Sequence, residues 1–173
     1  MQAETLMLYK LIVLYIMDKV DFPLTNGQLT NFILEKEYTN YFNIQQAISE
    51  LVDDKFLSVE TIRNSSLYQI TESGHETLSF FSHTIAGAIR DEIDVYLKEH
   101  KYSLREEVST LADYYESKKD EFVSHLRVME GDSAIIELKL SVPTEREANI
   151  ICNNWRQKSS DIYAYVISSL ISD

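Results

Sequence analysis

The sequence predicts an α+β fold whose first half is mostly helical and whose second half begins with a small antiparallel sheet. Three observations support this prediction. The segment from Glu4 to Val20 is apolar on nearly every side, two strand-like runs between Phe56 and Ile70 flank a polar tip, and three further strand-like runs precede two amphipathic helical segments at the end of the chain. Runs of helices followed by runs of strands are typical of α+β folds.

Three helices are predicted before the hairpin. The first covers residues 4–20, and Pro23 breaks the chain after it. Thr25 and Gln28 have the spacing of a capping box and predict that a second helix begins there. Asn40 is the predicted N-cap of the third helix. The apolar side chains that recur at helical spacing are expected to face the core. They are Leu29, Phe32 and Ile33 in the second helix, and Ile44, Ala47, Ile48 and Leu51 in the third.

The segment after the third helix predicts a β-hairpin that leads at once into another helix. Two strand-like runs flank a polar tip of four residues, 63–66. Thr71 is the predicted N-cap of the next helix. Gly74 lowers helix propensity, so we expect it where a neighbouring backbone comes close. Together with the three preceding helices, this order predicts a winged helix-turn-helix domain in residues 1–83.

A linking helix is predicted in residues 84–103. Large apolar side chains recur at three- and four-residue intervals from Leu78 to Leu97. We expect a bend near Ser82–Thr84 and an end near His100–Ser103.

Residues 104–173 predict a second, smaller α+β domain. Three strands joined by the turn sequences SKKD and EGDS predict an antiparallel meander. Two helices follow, and the first has a second capping-box pattern formed by Thr144 and Glu147. This domain is therefore predicted to be a three-stranded sheet packed with two C-terminal helices.

The composition is that of a soluble globular protein with a large negative charge. The 173 residues are 45% hydrophobic, and the formal net charge is −12. The charge is evenly spread, because residues 1–84 hold five Lys or Arg against eleven Asp or Glu and residues 85–173 hold eleven against seventeen. This surplus of carboxylates favours solubility and works against binding to nucleic acids.

The protein is predicted to be cytoplasmic, with no membrane contact. The single cysteine, Cys152, excludes an internal disulfide framework and is typical of a reducing compartment. The apolar run from Leu6 to Met17 is interrupted by Lys10 and is too short to cross a bilayer. No small-residue cleavage site follows it, so we expect a buried helix rather than a secretion signal.

Four stretches of the chain carry a resemblance to a known family. They are LTNGQL, YTNYFNIQQAISEL, ITESGHETL and, near the end, SVPTEREANIICNNWRQKSSDIY. With these motifs at this spacing, nearly the whole chain resembles a small bacterial family of predicted transcriptional regulators. That family, catalogued as a domain of unknown function, has a PadR-like winged helix and a C-terminal α+β domain. The resemblance implies a DNA-binding role, and it implies no particular effector, operator or activity.

If the protein binds DNA, the third helix (about residues 40–54) is expected to read the major groove and the wing (56–70) to lie near the backbone. Asn and Gln amides on the outward side of the helix can pair with the edge of adenine, although such exposed amides are more often only solvated. The helix N-terminus favours a phosphate. The predicted DNA-binding residues are Asn40, Tyr41, Asn43, Gln45, Gln46, Ser49, Arg63 and Asn64.

The net charge limits the DNA-binding hypothesis. Each phosphate contact adds about one unit to the salt dependence of binding, and Glu50, Asp53 and Asp54 oppose the few cations near the third helix. We therefore expect weak, salt-sensitive binding of double-stranded DNA by a homodimer. The alternative is a winged helix that contacts proteins without binding DNA, which the acidic charge favours.

No enzymatic activity, cofactor or metal site is predicted. The four histidines are scattered, without partners at the spacing of metal ligands, and the chain lacks phosphate-binding glycine motifs and a nucleophile elbow. Cys152, on the apolar side of a helix beside Trp155, is predicted to be a small core residue rather than a nucleophile or sensor.

Two hypotheses stay open for the C-terminal domain. It could form a dimer through its last helix or its sheet edge, or it could bind a small-molecule effector with aromatic side chains such as Tyr114 and Trp155. Helix 4–20 is a further candidate for contacts between subunits. An enzymatic or ligand-storage role for residues 104–173 is a more distant alternative.

Overall fold

The computed structural model describes residues 2–172 as two compact units, one ending at Arg105 and the other beginning at Glu106. The first unit contains α1 (Gln2–Lys19), β1 (Leu24–Thr25), α2 (Asn26–Glu35), α3 (Tyr41–Asp53), β2 (Leu57–Ile62), β3 (Ser65–Ile70), α4 (Glu72–Phe81), a 3-10 turn (Ser82–Thr84) and most of α5 (Gly87–Ser109). The second contains β4 (Thr110–Lys118), β5 (Glu121–Glu130), β6 (Ser133–Val142) and α6 (Glu145–Ile171). Each unit has a three-stranded antiparallel sheet, which confirms the α+β class.

Helix α1 forms the centre of the first unit's core. Seven consecutive residues, Leu11–Met17, are buried, as expected for a helix that is apolar on nearly all sides. The helix packs against α3, α4 and β3, so the predicted buried helix is confirmed. None of the helices in residues 2–172 combines the length and the apolarity that a membrane crossing requires.

The predicted N-caps of three helices are confirmed. The Thr25 hydroxyl accepts a hydrogen bond from the Gln28 backbone N–H at 3.1 Å, and the Gln28 side chain accepts one from the Thr25 N–H at 2.9 Å, which completes the capping box. Asn40 accepts from the Asn43 N–H at 3.0 Å, and Thr71 caps the helix after the hairpin. All seven side chains predicted to form the core of α2 and α3 are buried.

The hairpin is confirmed, but its tip was predicted two residues too long. Ser65 and Ser66 pair with Ile62 and Thr61, which leaves Arg63 and Asn64 as a two-residue turn. The prediction treated both serines as turn residues, whereas their backbones continue the ladder.

The strand β1 was not predicted. It pairs antiparallel with β3, with Leu24 opposite Tyr68 and Thr25 opposite Leu67. The hairpin is therefore part of a three-stranded sheet with the order β1-β3-β2. Two residues are too few to show the alternation that identifies a strand in a sequence.

The strand-to-helix junction explains the glycine that follows the hairpin. The Thr71 hydroxyl caps α4 by accepting from the Gly74 N–H at 3.1 Å. A Cβ added at Gly74 would lie 2.3 Å from the carbonyl oxygen of Phe56 and 2.7 Å from Cγ1 of Ile70. The predicted close approach of a neighbouring backbone is confirmed.

The predicted bend between the helices is confirmed, whereas the predicted end of the linking helix is wrong. The 3-10 turn separates α4 from α5, but α5 continues to Ser109 rather than ending near His100–Ser103. Leu104 and Val108 are buried and extend the apolar stripe of Ile93 and Leu97 by about three further turns. Burial of this apolar stripe stabilises the additional turns of the helix.

The second unit is an antiparallel meander covered on one face by α6. The strand order β4-β5-β6 confirms the predicted sheet. Leu126 and Ile136 of the sheet form a buried cluster with Cys152 and Trp155 of α6. The Ser124 hydroxyl is fully buried and donates to the Ala148 carbonyl at 3.2 Å, which ties α6 to the central strand.

One helix, rather than the predicted two, follows the sheet. Thr144 caps α6 by accepting from the Glu147 N–H at 3.2 Å, as predicted, but Glu147 accepts from the Thr144 hydroxyl instead of from its backbone. The second predicted helix, SSDIYAYVISSLIS, would have begun at the pair Ser159–Ser160. Serine lowers helix propensity by only about 0.5 kcal/mol, no Gly or Pro interrupts residues 145–171, and Ser159 is buried.

Candidate nucleic-acid interface

Helix α3 presents one side to the core and the other to solvent. Its buried stripe packs towards α1, and the opposite side carries Phe42, Gln46 and Ser49, which are all exposed. The hairpin follows the helix after three residues. This outward side, together with the hairpin tip, is the surface for which DNA contacts were predicted.

The start of α3 is occupied by its own cap. The carboxamide oxygen of Asn40 accepts the Asn43 N–H, and the Asn43 amide donates to the Thr39 hydroxyl at 2.9 Å. Tyr41 is about half exposed and packs edge-to-face against Phe42, with their ring centroids 6.1 Å apart. Asn40 is therefore engaged in helix initiation, and Tyr41 is the other exposed residue at the helix start, where a phosphate contact was predicted.

Gln45 was predicted to face outward but is bound to the start of α2. Its amide donates to Oδ1 of Asn26 at 2.9 Å and accepts from Nδ2 of Asn26 at 2.9 Å. This reciprocal pair fixes α3 against α2 and uses the same groups that would read an adenine. A base contact by Gln45 requires that the pair opens.

Gln46 belongs to a charged network that links α3 to α1. Its amide donates to Oε1 of Glu50 at 3.0 Å, while Lys10 of α1 lies 2.6 Å from Oε2 of Glu50 and 3.5 Å from Asp54. The hydrogen bonds from Lys10 and Gln46 lower the pKa of the Glu50 carboxyl. Lys10 is thus neutralised within the unit and adds no positive potential to the outward side of α3.

A groove separates the start of α1 from α3. Asn43 and Gln46 line one wall, and Leu6 and Tyr9 are among the residues of the other. The side of α3 that is clear of this groove is narrower than the sequence predicted. It is centred on Phe42 and Ser49, with Gln46 at its border.

The hairpin tip carries Arg63, the one cation of the predicted DNA-binding set. Arg63 and Asn64 are exposed, and Arg63 has a left-handed backbone with φ of 55°. Non-glycine residues adopt this conformation infrequently. A glycine would fit the backbone better, so the guanidinium side chain is the feature that an arginine adds at this turn.

Carboxylates hold much of the first unit's positive charge. At least four of its nine Lys and Arg lie within ion-pair distance of an Asp or Glu. Arg105, for example, lies 2.8 Å from Asp21, which lowers the pKa of that carboxyl. The positive potential for DNA therefore has to come from a few remaining side chains, including Lys36 and Lys55 near α3.

The family model described as a domain of unknown function (DUF4364) matches residues 9–170, across both units. The chain belongs to this family. The resemblance to a domain of unknown function is thereby confirmed, whereas the PadR-like regulator assignment stays a prediction. No curated protein and no solved structure matches the chain significantly.

Phe42 is a surface residue of this DUF4364 chain that was not among the predicted DNA-binding residues. Its side chain is 81% exposed on the outward side of α3. The signal was available, because Phe42 lies outside the spacing of the buried stripe. An exposed phenylalanine beside Gln46 and Ser49 can contact a thymine methyl group or an apolar side chain of a protein.

The second unit holds the remaining side chains considered for chemistry. Cys152 is buried, as predicted, and its thiol donates to the Asp113 carbonyl at 3.3 Å. Trp155 packs in the core and donates from Nε1 to the Arg127 carbonyl at 3.1 Å, so it does not line an open cavity. Tyr114 donates to Glu145 at 3.1 Å. An effector in this unit stays a prediction.

Two of the four histidines each lie beside a single carboxylate. His75 lies 2.6 Å from Asp18, and His125 lies 2.5 Å from Glu137, whose pKa it lowers. Between Gln2 and Ser172, no three His, Cys, Asp or Glu side chains are grouped in a way that could hold a metal ion.

Proposed function

We propose that this protein is a DNA-binding transcriptional regulator that acts as a homodimer in the cytoplasm. In this proposal α3 is the recognition helix and the β2–β3 hairpin is the wing of a winged helix-turn-helix domain. The observation that carries it is the exposed side of α3 beside a hairpin with Arg63 at its tip. The order helix, strand, helix, helix, hairpin supports the same fold assignment.

The contacts expected with DNA differ between residues. Gln46 and Ser49 are expected to reach base edges in the major groove, and Phe42 a thymine methyl group. Arg63 and Asn64 are expected to contact phosphates, as is Tyr41 at the N-terminus of α3. Three further residues of the predicted set support the helix rather than contact DNA directly. They are Asn40, Asn43 and Gln45.

The binding is expected to be weak and strongly dependent on salt. If each subunit contacts about two phosphates, the logarithm of affinity falls with the logarithm of salt with a slope of roughly −4 for a dimer. The carboxylates of Glu50, Asp53 and Asp54 near the end of α3 reduce the affinity further. A strongly basic regulator would show a steeper slope.

The first test selects double-stranded fragments from a random pool and measures their binding by fluorescence anisotropy at low and at moderate salt. The double substitution Gln46→Ala with Arg63→Ala is expected to weaken binding by at least tenfold, because one good base contact contributes about 1–3 kcal/mol. The matched control is Gln157→Ala with Arg146→Ala, which changes the same residue types at exposed positions of α6. The proposal is contradicted if the unchanged protein retains no fragment at low salt. It is also contradicted if the control variant loses as much affinity as the test variant.

A second candidate function, a protein-interaction module, is favoured by the exposed aromatic pair at the start of α3. Phe42 and Tyr41 are accessible beside a surface that is rich in carboxylates. A photo-crosslinking amino acid in place of Phe42 distinguishes the two functions in cells. An adduct that nuclease removes supports DNA binding, whereas an adduct that resists nuclease and is removed by protease supports protein contacts.

A further inference from the structure

Helix α6 extends beyond the sheet that it covers. Its buried side chains, Ala148, Cys152, Trp155 and Ser159, recur at intervals of four, three and four residues, and Ile162 continues the pattern against the core cluster. The same spacing leads next to Val166 and then to Leu170. The stripe that faces the sheet therefore continues for two further turns.

The last turns of α6 carry large apolar side chains that their own unit leaves exposed. We name residues 164–171 the helix overhang. Leu170 is 79% exposed, and three other large apolar side chains of the overhang are also exposed. These are Tyr165, Ile167 and Ile171. Isolated helical segments of this length are marginal in water, and an apolar stripe normally packs against another element.

The sheet of the same unit is also incompletely covered. Helix α6 lies mainly over β4 and β5 and contacts the edge strand β6 less. Leu140 of β6 lies opposite Ser124 in the sheet register and on the same face, which is the face towards α6, yet its side chain is 41% exposed. We name the side chains of Leu138, Leu140 and Val142 the β6 face.

The charge distribution indicates what covers these two surfaces. Residues 145–158 of α6 include five charged side chains, whereas residues 159–172 include one, Asp161. Two copies of a chain with a net charge of −12 repel each other over most of their surface. The overhang is a surface on which two such copies can meet with little repulsion between carboxylates.

We propose that the helix overhang of one copy packs on the β6 face of a second copy, and that the partner returns the same contact. The two α6 helices would then lie antiparallel, side by side, about a twofold axis. A sheet covered on one face by a single helix would then be covered on that face by two helices, the second supplied by the partner. The interface is isologous, because each copy contributes both surfaces.

The area that a stable dimer needs favours this reciprocal arrangement over contact between overhangs alone. Eight helical residues span only about 12 Å. Standard interfaces bury roughly 800 Å² on each partner, which a single contact of this length does not approach. Making the contact twice doubles the buried area and also covers Leu140.

This proposal specifies the dimer interface of the proposed function. It rests on that function only for the expectation of a dimer. Self-association is measured without DNA, so it can fail while DNA binding holds, and DNA binding can fail while the dimer holds. The experiment is sedimentation velocity of the full chain from about 1 to 100 µM, a range chosen because interfaces near the lower size limit are weak. A chain that stays monomeric over this range overturns the proposal.

The matched variants place a positive charge on two surfaces of similar exposure. Leu170→Lys is expected to raise the dimer dissociation constant at least tenfold. Val95→Lys, on α5, replaces another exposed apolar side chain (58% exposed) and is expected to leave it unchanged. Circular dichroism confirms that both variants are folded. An unchanged dissociation constant for Leu170→Lys, or an equal change for Val95→Lys, overturns the proposal.

A charge-swap experiment identifies the surface that receives the overhang. Leu140→Glu alone is expected to weaken the homodimer, as Leu170→Lys does. A mixture of the two variants is expected to form a heterodimer, because the lysine introduced in one chain meets the glutamate introduced in the other while the second contact keeps both leucines. A mixture that stays monomeric, or a Leu140→Glu variant that dimerises like the unchanged chain, overturns the assignment of the β6 face.

Discussion

Helices α1 and α6 use their apolar residues in opposite ways. Every side of α1 is covered between Leu11 and Met17, whereas α6 is covered along one stripe and only as far as Tyr163. The core of the first unit therefore consumes the apolar surface of α1 in this stretch, whereas the last turns of α6 keep theirs. The exposed side of α3 is mixed, with Phe42 beside Gln46 and Ser49. The two helices thus differ in the apolar surface that they leave for a partner.

The largest effect is expected where the α6 stripe is buried. Trp155→Ala removes a side chain that is 2% exposed together with its hydrogen bond to the Arg127 carbonyl, so the free energy of unfolding should fall by about 3–5 kcal/mol. Leu14→Ala in α1 should cost about 2–5 kcal/mol for the same reason. Urea denaturation followed by circular dichroism measures both.

Leu170→Ala provides the control on the same stripe. Because this side chain is mostly exposed, its removal should change the free energy of unfolding by less than about 0.5 kcal/mol at concentrations where the chain is monomeric. A loss of several kcal/mol at Leu170 would mean that the overhang is covered within its own chain, and the contrast between α1 and α6 would disappear.

Alanine substitutions at two glycines of the first unit are expected to change its stability by smaller amounts, and in opposite directions. Gly74→Ala forces a methyl group against the Phe56 carbonyl and should destabilise the unit by roughly 1–3 kcal/mol. Gly27→Ala, in the first turn of α2, brings its new methyl group no closer than 3.9 Å to the Thr25 hydroxyl and should stabilise the unit by up to about 1 kcal/mol. Thermal denaturation of the two variants compares them directly. Equal effects would show that the Phe56 backbone yields easily.

Features set by neighbouring residues could be predicted from the sequence. The caps at Thr25, Asn40 and Thr71 depend on residues three positions apart, and the buried stripes of α2 and α3 depend on helical spacing alone. The strand β1 could not be predicted in this way, because its partner Tyr68 is 44 positions from Leu24 and no local pattern links them. The continuity of α6 through Ser159 likewise depends on the sheet beneath it.

The candidate site shows the same limit. Helical spacing predicts that Gln45 and Gln46 lie off the core stripe, and Gln46 is exposed. It does not predict that Gln45 is held by Asn26, 19 residues away, or that Lys10 reaches Glu50 from α1. Hydrogen bonds and ion pairs between elements therefore decide how much of the outward side of α3 is available to a ligand.

The smallest effect on stability is expected from the ion pair between Glu50 and Lys10, a charged residue among the apolar residues of α1. Hydrogen bonds from Lys10 and Gln46 lower the pKa of Glu50 below its ordinary value of 4.5. A carboxyl whose pKa is lowered by folding stabilises the fold above its ordinary pKa, and this contribution is lost as the pH falls through the lowered value. Glu50→Gln should therefore be slightly less stable than the unchanged chain at pH 6–7, and the difference should shrink below about pH 4.5. The size is expected to be small, because solvent screens an ion pair of which Glu50 is partly exposed.

Glu76→Gln, on the exposed side of α4, is the matched control for this pH dependence. Thermal denaturation of the three chains across pH 3–7 gives the comparison. A stability difference for Glu50→Gln that stays constant through the acid range would mean that the Glu50 carboxylate contributes nothing through its charge. The attachment of α1 to α3 would then rest on apolar contacts alone, and the contrast between an α1 covered from Leu11 to Met17 and a half-covered α6 would need no electrostatic component.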